Sequence, residues 1–295
     1  MISGTHRGTR LGLAVAPLIA ALLAAAPASA HRIEKHFPVE GRPVVIVHNA
    51  HGRIQVSSWK KAEVVVVGNH ATEKAEVDTE QAGNRIEITT RSMGDNLPPA
   101  QLSATYEITV PEETELQVKT DSGTILIERV VGDLMIDTLV GNVQLEEVAG
   151  YIVIKSVEGS IVCTRCAGRI DATTLSGNIQ VLQPVFDTVR VQTTSGNILF
   201  DGNLVRRGVY ILKNSTGATE VRLSENDSFD LSAKSVSGQV ENLAKFNLRP
   251  DPHGSTRAPG PPSKLVRSLF GTVNEGHARV ELSSFSGTIR IVKRD

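Results

Sequence analysis

Seven glycines, Gly123, Gly132, Gly141, Gly150, Gly159, Gly168 and Gly177, follow one another nine residues apart without a break. Few folds accept so strict a beat. A fixed short period means one small unit copied many times, with no single copy able to bury its apolar face alone. Around each glycine the residues two before, two after and four after tend to be apolar. Val130, Leu134 and Ile136 fill these places around Gly132, and Leu139, Val143 and Leu145 around Gly141. Val157, Ile161 and Cys163 fill them around Gly159, and Leu175, Ile179 and Val181 around Gly177. Such alternation predicts short strands with these positions facing inward. Glycine between strands marks a turn where a Cβ would clash or φ must be positive.

The units alternate in type. Eight glycines (Gly123, Gly141, Gly159, Gly177, Gly196, Gly217, Gly238 and Gly287) are preceded, three residues earlier, by Thr120, Thr138, Ser156, Thr174, Thr193, Asn214, Ser235 and Ser284. The units at Gly132, Gly150 and Gly168 are less regular. The true period is therefore about eighteen residues, two strands per coil. The predicted fold is all-β: a β-solenoid of about eight coils behind an N-terminal β region. Stacked strands lie about 4.8 Å apart, which lines the Thr, Ser and Asn positions up as a polar ladder along one edge. Turn chemistry accounts for it, since these side chains satisfy backbone groups at corners. The sharper alternative is a hydroxyl array that binds a periodic surface such as a polysaccharide or ice. Calcium-binding β-rolls share the period but need repeated aspartates to hold the ion; Asp133 is an isolated case, so that class is excluded.

Residues 1–30 read as a secretory signal peptide. Arg7 and Arg10 precede an apolar run at 11–26, and Ala28-Ser29-Ala30 forms an A-x-A cleavage site. The mature chain is expected to start at His31 and to be exported to the periplasm, cell surface or medium, without a transmembrane span. Residues 31–119 are strand-rich but irregular and are expected to cap the solenoid, since exposed strand edges template aggregation. Gly52-Arg53-Ile54-Gln55-Val56 already copies the later unit. Residues 94–99 read as a loop. Residues 120–295 carry the repeats, interrupted at 247–264 by a stretch with five prolines and two glycines. Residues 264–270 read as a helical turn. The outward apolar residues Leu126, Met135, Val153 and Val162 imply a cover over the early coils. An uncovered final strand at 288–292 would favour assembly end to end.

Chemistry is sparse. Cys163 and Cys166 form a C-x-x-C without the helix N-terminus that a redox pair needs; they read as core residues placed to form a disulfide in an oxidising compartment. His48 and His51 lack a legible third ligand, and a terminal His31 holding copper lacks any supporting motif. Asp171 and Arg190 fall in consecutive coils and read as a surface pair. No P-loop, Rossmann fingerprint or nucleophile elbow occurs, and no cofactor or metal is expected. Charged residues make up 21% of the chain and the formal net charge is −1, which excludes nucleic acid as an electrostatic partner.

Three stretches carry a family likeness: residues 48–59 (HNAHGRIQVSSW), 108–128 (ITVPEETELQVKTDSGTILIE) and 278–291 (ARVELSSFSGTIRI). In these the chain resembles a bacterial family of putative adhesins, exported domains of unknown function built from β-strand repeats. The Pro-rich stretch and the C-x-x-C depart from the plain pattern. The resemblance implies a non-enzymatic β-solenoid of the cell envelope that engages a glycan or protein. A polysaccharide-acting β-helix enzyme, which would need clustered carboxylates, and a protein that assembles end to end are the alternatives.

Overall fold

The structure, a computed structural model, describes residues 31–70, 72, 75–93, 102–250 and 267–294. The expected leader, the 94–99 loop and most of the Pro-rich stretch lie outside these residues. The elements form a 21-stranded sheet, and no α-helix occurs among the described residues. The helical turn expected at 264–270 is corrected: Ser268–Val273 is a strand.

Two long ladders run through the molecule, and each pass of the chain through both makes one rung. In the first ladder Val45, Leu116, Leu134, Ile152, Ile170, Val189, Tyr210, Val280 and Leu231 are successive neighbours. In the second, Ile54, Ile125, Val143, Ile161, Ile179, Ile198, Thr219, Ile289 and Val240 succeed one another. All are buried. A short third run of bridges through Glu113, Val131, Ala149, Ala167 and Val185 turns Val130, Val148 and Cys166 inward. The inward columns form one hydrophobic core. Each fully buried Ile, Leu or Val contributes roughly 1.5–3 kcal/mol that no isolated rung could gain. Neighbours in the first ladder are eighteen residues apart from Leu116 to Ile170. The spacing widens to nineteen at Val189, where Asp187 is accommodated by a register shift, and to twenty-one at Tyr210.

Glycine sets how closely the rungs approach. A Cβ on Gly159 would lie 2.0 Å from the carbonyl oxygen of Gly141, and one on Gly177 would lie 1.9 Å from that of Gly159. The same contact links Gly52, Gly123, Gly141, Gly159, Gly177, Gly196, Gly217, Gly287 and Gly238 in one column. Gly132, Gly150 and Gly168 form a second column.

The order of the last rungs departs from chain order. Ala278–Ser284 lies between Val209–Thr216 and Phe229–Ser235, parallel to both. Ile289–Lys293 lies between Thr219–Leu223 and Val240–Asn242. The closing strand is therefore paired on both sides, so the condition that would favour end-to-end assembly, an uncovered strand at 288–292, is not met. The physical reason is the cover. Phe229–Ser235 carries its own antiparallel lid, Ser268–Val273, so it suits the outermost place. The closing segment alternates inward at Ala278, Val280, Leu282, Ile289 and Ile291 and suits an interior one.

The other end is covered as well. Val44–Trp59 is itself the first rung, so residues 31–119 are not all cap. Its first half pairs with Arg85–Ser92, which pairs in turn with Ala75–Ala82. Its second half pairs with Ser103–Pro111, followed by Glu63–His70 and His31–Pro38. The outermost strands discourage further pairing. Ala75–Ala82 carries Glu76, Asp78 and Glu80, and His31–Pro38 carries four charged or ionisable residues besides His31 and ends in proline.

Gly159→Ala should cost roughly 3 kcal/mol. Gly83→Ala should cost only about 1 kcal/mol, because a Cβ there meets nothing within 4 Å although φ is also positive. Urea unfolding of both variants checks this. Equal costs would mean that backbone conformation, not contact with the neighbouring rung, selects the glycines.

Candidate functional site

The polar ladder is internal. Thr120, Thr138, Ser156, Thr174, Thr193, Asn214, Ser235 and Ser284 are all buried, Thr174 to 1% exposure. The ligand-binding edge entertained for them is corrected: their hydroxyls do not reach a surface. The alternation that buries Leu134 and Ile136 simply continues to Thr138. Several members bond to the glycine column. Thr193 Oγ1 donates to Gly177 O at 3.0 Å, Asn214 Nδ2 to Gly196 O at 2.9 Å and Ser235 Oγ to Gly287 O at 2.9 Å. The Oγ of Ser284 accepts from the amide of Gly287 at 2.8 Å. The oxygens of Thr138, Ser156 and Thr174 have no partner among the described residues. Asn49, three residues before Gly52, extends the ladder to the first rung and was legible by the same rule.

The apolar residues beside this ladder point the other way. Leu139, Val157 and Leu175 were predicted to face inward, two residues before their glycines; they are 53%, 45% and 57% exposed. The physical reason is again the continued alternation: with Thr138, Ser156 and Thr174 taking the inward place, the next residue must turn out. Only in the other unit type, at Val130, Val148 and Cys166, is the position two before glycine interior. Leu139, Val140, Val157 and Leu175 thus make an apolar ridge where the chain turns from one ladder into the other. Met135 stays exposed, and Leu126, Val153 and Val162 are half-buried.

Past the ridge, two adjoining rows on the outer face of the second ladder are uncharged over several rungs, and the next row carries Glu128 and Glu146, paired with Arg129 and Arg165. One of the uncharged rows holds Leu126, Gln144, Val162, Gln180 and Leu199. Beside it Asn142 Oδ1 accepts from the amide of Ser160 at 3.0 Å, Asn178 Oδ1 from that of Asn197 at 2.8 Å and Asn197 Oδ1 from that of Ala218 at 2.8 Å. These asparagines tie each turn to the next rung. The sequence signal for this face is the residue one and three places after each Thr/Ser-type glycine, and it is visible only once two unit types are separated.

Charge gathers again at the far end of these rows. Arg222 Nε lies 2.7 Å from Glu220 Oε1 and its Nη1 3.4 Å from Asp201 Oδ2, while Arg294 Nε lies 3.3 Å from Asp201 Oδ1. Hydrogen bonding to Glu220 raises the Arg222 pKa. These groups line a recess with Thr164, Leu182 and Gln183. Both carboxylates there are tied to guanidinium groups, an arrangement that suits a structural network better than general acid–base work.

The remaining candidates are dispersed. Cys163 and Cys166 form a disulfide with both residues fully buried. His48 is exposed, whereas His51 Nδ1 faces Ser122 Oγ. No cluster of three metal-ligating side chains occurs among the described residues. Asp171 and Arg190 are neighbours in register. His36 sits between Glu63 and Glu34, whose hydrogen bonds raise its pKa. At the capped end, Thr90 Oγ1 donates to Asn49 Oδ1 at 2.8 Å and lies 2.6 Å from the Tyr106 hydroxyl. Burial pushes that phenol up to about 12.

A family model described as Toastrack DUF4097 matches residues 45–292. Among solved structures, the chain is similar to a "putative adhesin" from Bacteroides fragilis NCTC 9343, at 13% identity and a TM-score of 0.50 over 90% of this chain and 99% of that one. It is also similar to a "putative lipid binding protein" from Parabacteroides distasonis ATCC 8503, at 14% identity and 0.44 over 90% and 97%. A "putative cell adhesion protein" from Clostridium sporogenes ATCC 15579 aligns at 11% identity and 0.30 over 90% and 100%. At such identities the likeness to the Bacteroides structure concerns the fold alone. No curated protein matches the chain.

Two outcomes are expected from the interior. Thr174→Val removes a buried hydroxyl without a partner among the described residues and should be neutral or stabilise by up to about 1 kcal/mol, while Thr193→Val loses its bond to Gly177 and should cost about 1 kcal/mol. Equal losses in urea unfolding would show that the Thr174 hydroxyl holds a partner in solution. For Tyr106, a folded pKa raised above the usual 10 means that its contribution is complete below pH 10 and is lost as pH rises from 10 to 12. Tyr106→Phe should flatten that alkaline decline, read as the urea midpoint from pH 8 to pH 12; an unchanged slope would assign the decline to other groups.

Proposed function

Because the chain belongs to the Toastrack DUF4097 family, whose description names no activity, we propose its function from its own surface: a non-catalytic, exported β-solenoid with eighteen-residue coils that serves as an interaction module of the cell envelope. The observation that carries this reading is the pair of uncharged outer rows with their bordering ridge, in a chain of which 21% of residues are charged. Side chains that are neither paired in ion networks nor buried remain available to a ligand. The leader-like sequence of residues 1–30 and the Cys163–Cys166 disulfide support an oxidising compartment outside the cytoplasm.

The enzyme reading is weaker on the same geometry, since the carboxylates of the charged recess are held by Arg222 and Arg294. End-to-end assembly is weaker because the terminal strands are short, charged or lidded. The ridge favours a second reading, docking of a protein partner with an apolar groove.

The test is co-sedimentation of the purified protein with a bacterial envelope fraction. Saturable binding is expected. Absence of binding across envelope preparations would remove the interaction-module reading. Leu139→Asp combined with Leu175→Asp separates the two surfaces, because loss of binding in that variant alone would place the partner on the ridge.

A further inference from the structure

We propose that the outer face of the second ladder binds an uncharged β-1,4-linked glycan laid along the stack; this rests on the interaction-module reading above. The row Leu126, Gln144, Val162, Gln180, Leu199 alternates strictly between aliphatic and amide side chains over five rungs. Gln144 and Gln180 therefore recur every second rung, about 9.6 Å apart at the usual strand spacing. In the adjoining row Asn142 and Asn178 stand at the same interval, and Asn197 follows Asn178 on the next rung. The Oδ1 atoms of Asn142 and Asn178 are already engaged by the amides of Ser160 and Asn197. That engagement fixes each amide plane and leaves the Nδ2 donors without a partner among the described residues. The side chains of Gln144 and Gln180 hold none there either.

The ligand chemistry follows from this lattice. In a β-1,4-linked chain successive sugars are turned over relative to one another, so each edge of the ribbon repeats every second sugar. A two-rung period on the protein meets a two-sugar period on the ligand. Amides can donate to and accept from ring hydroxyls, while Leu126, Val162 and Leu199 offer apolar surface to the C–H faces between them. The row spans four intervals, about 19 Å, which gives a ribbon repeated contacts, none of them strong alone. Charge gives an anionic polymer no purchase on the row itself, which holds no cation; Glu128 and Glu146, two residues further along the same strands, are already paired with Arg129 and Arg165. An α-1,4-linked chain coils and cannot follow a straight row.

The experiment is isothermal titration of the purified protein with chitohexaose and cellohexaose, with maltohexaose as the comparison. At least one β-linked hexamer should bind, and maltohexaose at least tenfold more weakly. Preference between the two β-linked hexamers distinguishes an N-acetylated from a plain glucan source. The double variant Gln144→Glu, Gln180→Glu should lose at least tenfold in affinity with an unchanged thermal midpoint. Val162→Asp provides an independent variant with the same expected loss. No binding of either β-linked hexamer, equal binding of maltohexaose, or full affinity in both variants would overturn the proposal. If the protein still sediments with envelope while the hexamers fail, the glycan platform falls and the module reading stands. If envelope binding is also absent, both fall.

Discussion

The carbonyl oxygen of one glycine occupies the space that a Cβ would fill on the glycine of the next rung. At Gly159 and Gly177 the clearance for such a carbon is 2.0 and 1.9 Å, inside any tolerable contact. Because the contact is repeated along a column, it sets a common corner for every rung, and the inward residues of both ladders then fall into register. The core depends on that register. Leu116, Leu134, Ile152 and Ile170 stack only while the corner repeats at one interval, and the Asp187 register shift marks where the interval first lengthens.

The corner also decides which side chains meet solvent. A Thr, Ser or Asn three residues before the glycine lies inward, close enough for Thr193, Asn214 and Ser235 to bond carbonyls of the glycine column. The following residue is forced outward whatever its polarity. Polar residues thus line an interior edge while Leu139, Val157 and Leu175 stand in water, the reverse of a simple hydrophobicity reading. The exposed ridge gains meaning from its neighbours, the uncharged rows.

Ends matter as much as repeats in a stacked fold, because each terminal rung exposes an unpaired edge. Here one end is closed by strands drawn from residues 31–111 and the other by the antiparallel return of Ser268–Val273. The Tyr106–Thr90–Asn49 contacts tie the two halves of the first cap together across the interior. At the second end the three-residue strand Val240–Asn242, paired on one side only among the described residues, is the short edge that remains.

The nine-residue beat of glycines, with its alternating neighbours, determined by itself that the chain is all-β, where the turns fall and that strands repeat in two types. These are local matters: φ, Cβ clearance and the period-two alternation act within a few residues. The cysteine pair was legible as a core pair for the same reason, both positions being inward by alternation. Tertiary structure alone decided that the closing segment slips between two earlier rungs, since that depends on which strand brings its own cover. It also decided the direction of the polar ladder, because alternation counted from the preceding glycine conflicts with that counted from the next, and packing against the adjacent rung settles the conflict. The uncharged rows belong to this second class: Leu126, Gln144, Val162, Gln180 and Leu199 are unremarkable eighteen or nineteen residues apart in sequence and become one surface only when the rungs stack.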